Sequence, residues 1–359
     1  MKQQPDGLDG RWKSADDLIQ RAQRILCSTH VNPDGDGLGS QLAIHSFLED
    51  LGKECRILNP SPVPEEYRFL SRYTRFGTYD PSRDARWVRN ADLAIIFDIG
   101  DYSRLENLGK DLKSFGVPLL SIDHHPHPVP DGFTHMVHDD SACATGYLVH
   151  EYIKYSNRRT GRDDGLRPEV ATALYVAVMT DTGSFRFSNT SPEAHEMASE
   201  LIRHGVEPSW VYEQVYESGP LEKIHLMAAA LDTVQVDQEA GLAWFTVSLE
   251  MVDRAGARAG HAAGFTDTVR SIKGVEAAVM IREMSPDECK INFRSKGRIR
   301  IDALARRLGG GGHPYASGAT IALPLEQAVE KVVALCREEM RSQRKPASSP
   351  EAGWNGGSR

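Results

Sequence analysis

"RILCSTHVNPDGDGLGS", residues 24–40, is the stretch that decides the reading of this chain. An apolar run, Arg24 to Ser28, ends in a histidine and two aspartates, His30, Asp34 and Asp36, spaced by Asn32, Pro33, Gly35 and Gly37. A short apolar run bounded by turn residues reads as a buried strand. The spacing that follows, Leu38, Leu42, Ile44, Phe47 and Leu48, predicts a helix over 38–50 with Gly52 as its stop. Strand, polar turn, helix is the unit of an open α/β sheet, whose ligands bind at the carboxyl ends of the strands.

The same pattern recurs downstream. "ADLAIIFDIGD" (91–101) is an apolar strand ending at Asp98, and "VPLLSIDHHP" (117–126) ends at Asp123, His124 and His125. Both have the unbroken apolar character of strands covered on two faces. Pro168 opens a helix, "RPEVATALYVAVMTDTG", whose polar end delivers Asp181. A single aspartate at such a place is ordinarily a turn residue or a helix cap. The joint occurrence of His30, Asp34, Asp36, Asp98, His124 and Asp181 is harder to obtain from caps alone. These six offer two imidazoles and four carboxylates, with no thiolate. Four carboxylates share a pocket as anions only when cations neutralise them. Mixed oxygen and imidazole donors suit Mn²⁺, and less often Mg²⁺, Fe²⁺ or Zn²⁺. Six ligands with one shared suit a pair of metals of the kind that hydrolyses phosphate esters.

The rest of the chain bounds this reading. Its 359 residues exceed one compact core, so two domains are expected. Net charge is −8, from 42 basic and 50 acidic residues, which argues against wrapping long duplex nucleic acid by bulk electrostatics. The opening MKQQPDGLDG has no apolar core and does not read as a secretory signal. No apolar run approaches the roughly 18 residues of a membrane span. The five scattered cysteines read as reduced thiols of a cytoplasmic protein. From about 231 the pattern turns to paired strands, "VQVDQEAGLAWFTVSL", "VEAAVMIREM" and "CKINFRSKG", then a helix, "IDALARRL". Between Arg282 and Arg307 lie eight basic residues against four acidic ones. Gly309 to Gly312 and His313 follow; four glycines exceed what a helix cap needs, and allow backbone N–H groups to approach a phosphate.

"THVNPDGDGLGS", "FDIGD", "SIDHHP" and "TDTGSFRFSN" resemble the four motifs of the DHH phosphoesterase superfamily, in the family's order. "RSKGRIRIDALARRLGGGGHPYASGA" resembles the glycine-rich, histidine-ending motif of the DHH-associated C-terminal domain. Within the superfamily the chain is similar to the bifunctional oligoribonucleases (nanoRNases) that also dephosphorylate 3′-phosphoadenosine 5′-phosphate (pAp). The match runs from about 22 to 340. Gly37, where alanine is expected, and Ile99, where threonine is frequent, are departures; neither removes a ligand.

The resemblance implies a doubly wound, parallel-sheet catalytic domain over 1–190, a helical linker over 191–230, a smaller α/β substrate-binding domain over 231–342, and a disordered tail over 343–359. It implies two Mn²⁺, with Mg²⁺ or another divalent ion as substitutes. His30, Asp34 and Asp98 would hold one; Asp36, Asp98, His124 and Asp181 the other, with Asp98 shared and a hydroxide as nucleophile. Asp123 would orient an imidazole, and His125 would face the scissile phosphate as charge stabiliser or acid. Substrate contacts would come from Arg104, Arg294, Gly310, Gly311, Gly312, His313 and Ser317, with Arg186 a further candidate and closure by the linker completing the site. The implied activity is hydrolysis of 2- to 5-mer RNA and of pAp to AMP by a cytoplasmic enzyme that acts as a homodimer, as the family often does. The alternative is a phosphodiesterase for cyclic or linear dinucleotides such as c-di-AMP or pApA, which needs the same metal chemistry. An inorganic pyrophosphatase is disfavoured by the glycine-histidine segment, a processive RecJ-type exonuclease by length, and a catalytically dead nucleotide sensor by the intact ligand set.

Overall fold

The structure, a computed structural model, describes residues 8–125, 132–162 and 165–343, and divides into two compact units, 1–218 and 219–359. The N-terminal segment before residue 8 and the stretch expected as a tail after 343 lie outside the described residues.

The first unit is built on six strands, β1 (Arg24–Ser28), β2 (Glu54–Asn59), β3 (Phe76–Thr78), β4 (Leu93–Phe97), β5 (Leu119–Asp123) and β6 (His135–His138). Their order is β3-β2-β1-β4-β5-β6 and every neighbouring pair is parallel. This is the expected doubly wound sheet, and its order reverses between β1 and β4. Alternate residues leave opposite faces of each strand. Ile25, Cys27, Ile95 and Phe97 enter one core with helices α1 (Leu8–Arg21), α2 (Gly35–Asp50), α5 (Thr145–Thr160), α6 (Pro168–Asp181) and α7 (Pro192–Arg203). Leu26, Ala94 and Ile96 enter the other with α3 (Pro81–Arg89) and α4 (Glu106–Phe115). Short helix α8 (Pro208–Tyr212) closes the unit.

Helix α2 begins at Gly35, three residues before the expected Leu38, because Asp34 caps it: the Asp34 carboxylate accepts the Asp36 and Gly37 N–H groups at 3.1 Å each. Gly35 and Gly39, one turn apart, let α6 come close. A Cβ at Gly39 would lie 2.3 Å from the Ala173 carbonyl oxygen, and one at Gly35 would lie 2.5 Å from Thr180 Oγ1. Glycine costs a helix interior about 1 kcal/mol against alanine. Here that cost brings the end of α6 beside the start of α2.

The second unit carries β7 (Gln235–Asp237), β8 (Leu242–Val247), β9 (Ala277–Ser285), β10 (Glu288–Ser295), β11 (Gly311–His313) and β12 (Ala316–Ile321), in the order β11-β12-β10-β9-β8-β7. Only β8 and β9 pair in parallel. Val279, Ile281, Ile291 and Phe293 pack under α12 (Asp302–Arg307) and α13 (Leu325–Gln343). Ala278 and Met280 face α9 (Leu221–Leu231), α10 (Leu249–Arg254) and α11 (Phe265–Arg270).

The stretch 191–230, expected as a linker, is divided between the units. Ala194, Met197, Leu201, Val211 and Val215 join the core of the first. Leu226 and Ala230 join that of the second. Helical periodicity shows that a face is apolar but not which unit will cover it; the break falls at Ser218–Gly219. Among the described residues no helix is long and apolar enough to cross a membrane.

Candidate metal centre

Every residue expected as a ligand from residues 30–181 lies at the carboxyl edge of the first sheet, around the reversal between β1 and β4. His30 follows β1, Asp98 follows β4, and His124 follows β5. Asp34 and Asp36 start α2, and Asp181 ends α6.

The donor atoms fall into sets. One atom each from His30, Asp34 and Asp98 lie within 4.8 Å of one another, as do those of Asp36, His124 and Asp181. Asp98 serves both sides: Oδ2 is 3.5 Å from His30 Nε2, and Oδ1 is 3.7 Å from His124 Nε2. His30 Nε2 is 3.8 Å from Asp34 Oδ2, and His124 Nε2 is 3.7 Å from Asp36 Oδ2 and 3.6 Å from Asp181 Oδ2. Asp98 holds a left-handed backbone, φ 53°. That conformation costs a non-glycine residue about 1–2 kcal/mol. Burying one Ile or Phe of β4 contributes about 1.5–3 kcal/mol, so the strand holds the strain. Strain of this kind gathers at functional sites.

Three of the candidate donors, His124, Asp36 and His30, are held from behind. His124 Nδ1 lies 3.1 Å from the Ala142 carbonyl oxygen. A proton on Nδ1, donated to that oxygen, leaves the Nε2 lone pair for a cation, the usual arrangement of a ligating histidine. Asp36 accepts the N–H groups of Thr145 at 2.7 Å and Gly146 at 2.8 Å. It thereby caps α5, whose own cap residue, Ala144, has no side chain able to do so. Asp123 accepts the His124 and His125 N–H groups at 2.9 and 3.3 Å and lies 2.7 Å from His125 Nδ1, so the imidazole it orients is that of His125. His30 Nδ1 faces the Val31 carbonyl oxygen at 2.8 Å and Arg104 Nη2 at 2.6 Å, which places Arg104 at the edge of the centre.

The electrostatics are those of an acidic nest. Burial opposes a charge on His30, but its hydrogen bonds to Asp34 and Asp98 prevail and raise its pKa to about 9. Burial likewise opposes a charge on His124, and Asp181, Asp36 and Asp98 overcome it, to about 10. Burial, reinforced by the Asp98 charge, pushes Asp36 well above the carboxylate range. Burial also lifts Asp181, to about 6 against the pull of His124. Asp98 is buried too, yet the hydrogen bond with His30 and the charges of His125 and His124 hold it well below. Without cations the cluster keeps itself together by holding protons. The donor set, oxygen and imidazole without sulfur, fits divalent cations in their place.

The residues expected as substrate contacts in the second unit have mixed surroundings. Arg294 is half-buried on β10, with Nε 3.8 Å from Asp267. Gly310 and Gly312 are required by packing: a Cβ would meet the Gly318 carbonyl oxygen at 2.1 Å or the Ala316 carbonyl oxygen at 2.7 Å. Gly311 has nothing within 4 Å of such a Cβ and is exposed. His313 ends β11 opposite Ala316. Ser317 is buried and donates its hydroxyl to the Ile301 carbonyl oxygen at 3.1 Å, so it has an internal partner where a substrate contact was expected.

Sequence reasoning gave no role to residues 142–146 or to Asn189, whose Nδ2 donates to Asp181 Oδ2 at 3.1 Å. Nothing in the spacing of 142–146 signals one, because their partners lie far away along the chain; Asn189 closes the stretch "TDTGSFRFSN", eight residues from Asp181, and that placement was the signal available.

Residues 24–178 match the model of the DHH family, N-terminal domain, and residues 243–342 that of the DHHA1 domain. The chain is 32% identical over 318 residues, 88% of its length and 90% of the relative's, to a bifunctional oligoribonuclease and PAP phosphatase NrnA of Thermus thermophilus. It is 30% identical over 300 residues, 83% of its length and 89% of the relative's, to the protein of that name from Bacillus subtilis. Among solved structures, an exopolyphosphatase-related protein from Bacteroides fragilis shares the fold with a TM-score of 0.86 at 24% identity, over 94% of this chain and 98% of that one. RecJ of Thermus thermophilus, in complex with Mn²⁺, matches at a TM-score of 0.56 and 14% identity, over 96% of this chain and 56% of that one.

Proposed function

This chain belongs to the DHH family of phosphoesterases, with a DHHA1 domain following along the sequence, and we propose that it hydrolyses short oligoribonucleotides to mononucleotides and pAp to AMP with two Mn²⁺. The observation that carries the reading is the Asp98 carboxylate, with one oxygen facing His30 and the other facing His124. A carboxylate turned to both donor sets is what a paired centre requires. His30, Asp34 and Asp98 would hold one cation, and Asp36, His124 and Asp181 with Asp98 the other. When bound, such a pair supplies Lewis-acid charge to the phosphoryl oxygens and makes water a nucleophile near neutral pH.

The chain's own residues do the rest. Asp98 holds the two donor sets together. Asp123 fixes His125 by the contact to Nδ1, and burial, though it opposes the His125 cation, is outweighed by that hydrogen bond, so its pKa is raised. A protonated, oriented His125 would stabilise charge on the phosphoryl group or donate a proton to the leaving oxygen. Arg104, beside His30, would turn to a phosphate oxygen. In the second unit, Arg294, the open backbone at Gly311 and His313 would grip the nucleotide. An acidic chain with few such contacts suits short substrates, because long nucleic acid needs many phosphates neutralised.

The test is a product time course with Mn²⁺ on a labelled RNA dimer, 5-mer and 24-mer, pAp and cyclic di-AMP. The expected result is rapid turnover of the dimer, 5-mer and pAp, with the 24-mer and cyclic compound slow. Preferred cleavage of the cyclic compound would transfer the protein to the dinucleotide phosphodiesterases.

A further inference from the structure

Four of the five consecutive residues 142–146, none of them an expected ligand, support the second donor set. The Ala142 carbonyl oxygen lies 3.1 Å from His124 Nδ1. The Thr145 and Gly146 N–H groups, at 2.7 and 2.8 Å, hold the two oxygens of Asp36. Between them the Cys143 carbonyl oxygen accepts from Asn189 Nδ2 at 2.9 Å, and the same nitrogen lies 3.1 Å from Asp181 Oδ2 and 3.1 Å from the Asp181 carbonyl oxygen. Two of the ligands are thus tied to the segment directly, the third through one side chain.

Asn189 carries signs of a residue kept for its donors. All three neighbours of Nδ2 are oxygens, so the amide has only one sensible orientation. Its other end, Oδ1, is buried with no hydrogen-bond partner among the described residues. A buried unpaired acceptor costs about 1–3 kcal/mol. Asn189 reaches Asp181 after a tight return of the chain through Gly183, Ser184 and Phe185, with φ of 56°, 60° and 62°. Left-handed backbone at Ser184 and Phe185 is a further cost. Asp181 otherwise sits as the last residue of α6, at the negative end of the helix, among three other carboxylates. A neutral N–H donor is what fixes its rotamer there without competing with a cation for the carboxylate charge.

We infer that Asn189 and the segment Ala142–Gly146 form one template for the second cation, with Asn189 the positioning residue that sets Asp181. The inference rests on the two-ion reading above. It predicts selectivity: the segment reaches the shared Asp98 through the Thr145 hydroxyl at 3.4 Å, but Asn189 itself contacts only Cys143 and Asp181, so loss of Asn189 weakens one site and spares the one formed by His30, Asp34 and Asp98.

The experiment is Mn²⁺ titration of the full chain, by calorimetry and by the electron paramagnetic resonance signal of free Mn²⁺, for wild type, Asn189→Ala and Asn189→Leu. Leucine keeps the volume and lacks the donors. Fewer than two ions in the wild type would end the two-ion reading itself. With two ions in the wild type, the expected result is a 10- to 100-fold weaker second site in both variants, the range for losing a residue that orients a ligand, with the first site unchanged. Two ions bound by Asn189→Ala as tightly as by wild type, or both sites weakened equally, would overturn the template. Asn189 is half-buried in a loop, so both variants are expected to keep the wild-type thermal transition; were the leucine variant not to, alanine decides.

Discussion

Gly37→Ala restores the residue expected at that position of the first motif, and in this chain it should damage the protein. A Cβ at Gly37 would lie 2.5 Å from Thr29 Oγ1, 3.0 Å from Thr29 Cγ2 and 3.1 Å from Thr29 Cβ. Thr29 cannot easily give way. It is fully buried, its hydroxyl donates to the Phe97 carbonyl oxygen at 2.8 Å, and its N–H donates to Asn59 Oδ1 at 3.1 Å. Overpacking a core costs about 1–3 kcal/mol, and alanine recovers about 1 kcal/mol of helix propensity. The net expectation is a loss of up to about 2 kcal/mol, read from urea unfolding of the protein. The functional effect is larger. Relief to ordinary contact near 3.4 Å moves the start of α2 by about 0.9 Å, and that turn carries Asp34 and Asp36. A displacement of about 1 Å at reacting groups can cost about 10²-fold in rate. Thr29→Ser removes the Cγ2 methyl and frees the hydroxyl to rotate, at a cost of about 1 kcal/mol. The overpacking should then be relieved in the double variant, giving a coupling of about 1–3 kcal/mol, within the range of contacting pairs. Additive effects, or a Gly37→Ala protein as stable and active as wild type, would refute the contact as the reason for glycine.

Asp98→Asn should lower turnover by on the order of 10³-fold or more, since it removes charge from both donor sets, a larger loss than one oxyanion donor; binding of two Mn²⁺ and near-normal activity would sink the shared-carboxylate assignment. His313→Ala should raise KM for an RNA dimer more than it lowers kcat, as loss of uniform binding does; an unchanged KM would remove His313 from the substrate grip. Apparent Mn²⁺ affinity should rise with pH between about 6 and 9, with proton release in calorimetry, because His30 and His124 must lose protons held to about 9 and about 10 before they can ligate. In cation-free protein the stability from protonated His30 is fully present below its ordinary 6.5 and lost as pH rises through about 9, so an apo protein whose unfolding midpoint is flat from pH 6.5 to 9.5 would contradict that assignment.

The clustering of the candidate donors is legible where chemistry and chain position coincide. His30, Asp34 and Asp36 declare themselves because they crowd one turn, and Asp98 and His124 because each ends an apolar run. A parallel sheet puts all such ends on one edge, so a list of strand ends is already a list of neighbours. What the sequence hides is whatever a residue does for a partner far along the chain. Asp36 reads as a ligand from its spacing, but its two hydrogen bonds go to Thr145 and Gly146, 109 and 110 residues away. Asn189 ends the stretch "TDTGSFRFSN", but nothing in that stretch says that its amide also reaches the Cys143 carbonyl oxygen, 46 residues away. Gly310 and Gly312 read as a place for a phosphate, whereas β12 packs against them and only Gly309 and Gly311 of the run are left open. The stretch 191–230 reads as one linker for a related reason: an apolar helical face states that it needs a cover and not which unit provides it.

The legible and hidden parts divide by physical cause. Ligands must converge on a small volume with unusual residue types, and those types stand out in composition. Supports need only an N–H, a carbonyl oxygen or a missing Cβ, which every residue or any glycine offers. That asymmetry also accounts for the strain. Asp98 at φ 53° and the turn at 183–185 are conformations that local preference resists, and each persists where a distant contact fixes the outcome: the Asp98 carboxylate between His30 and His124, and Asn189 on the Cys143 carbonyl oxygen. The donor triads therefore follow from which residues the chain contains, while their orientation follows from backbone groups that carry no sequence signature. Substitutions that leave every ligand in place, at Gly37 or Asn189, are for that reason the sharper probes of how this centre is built.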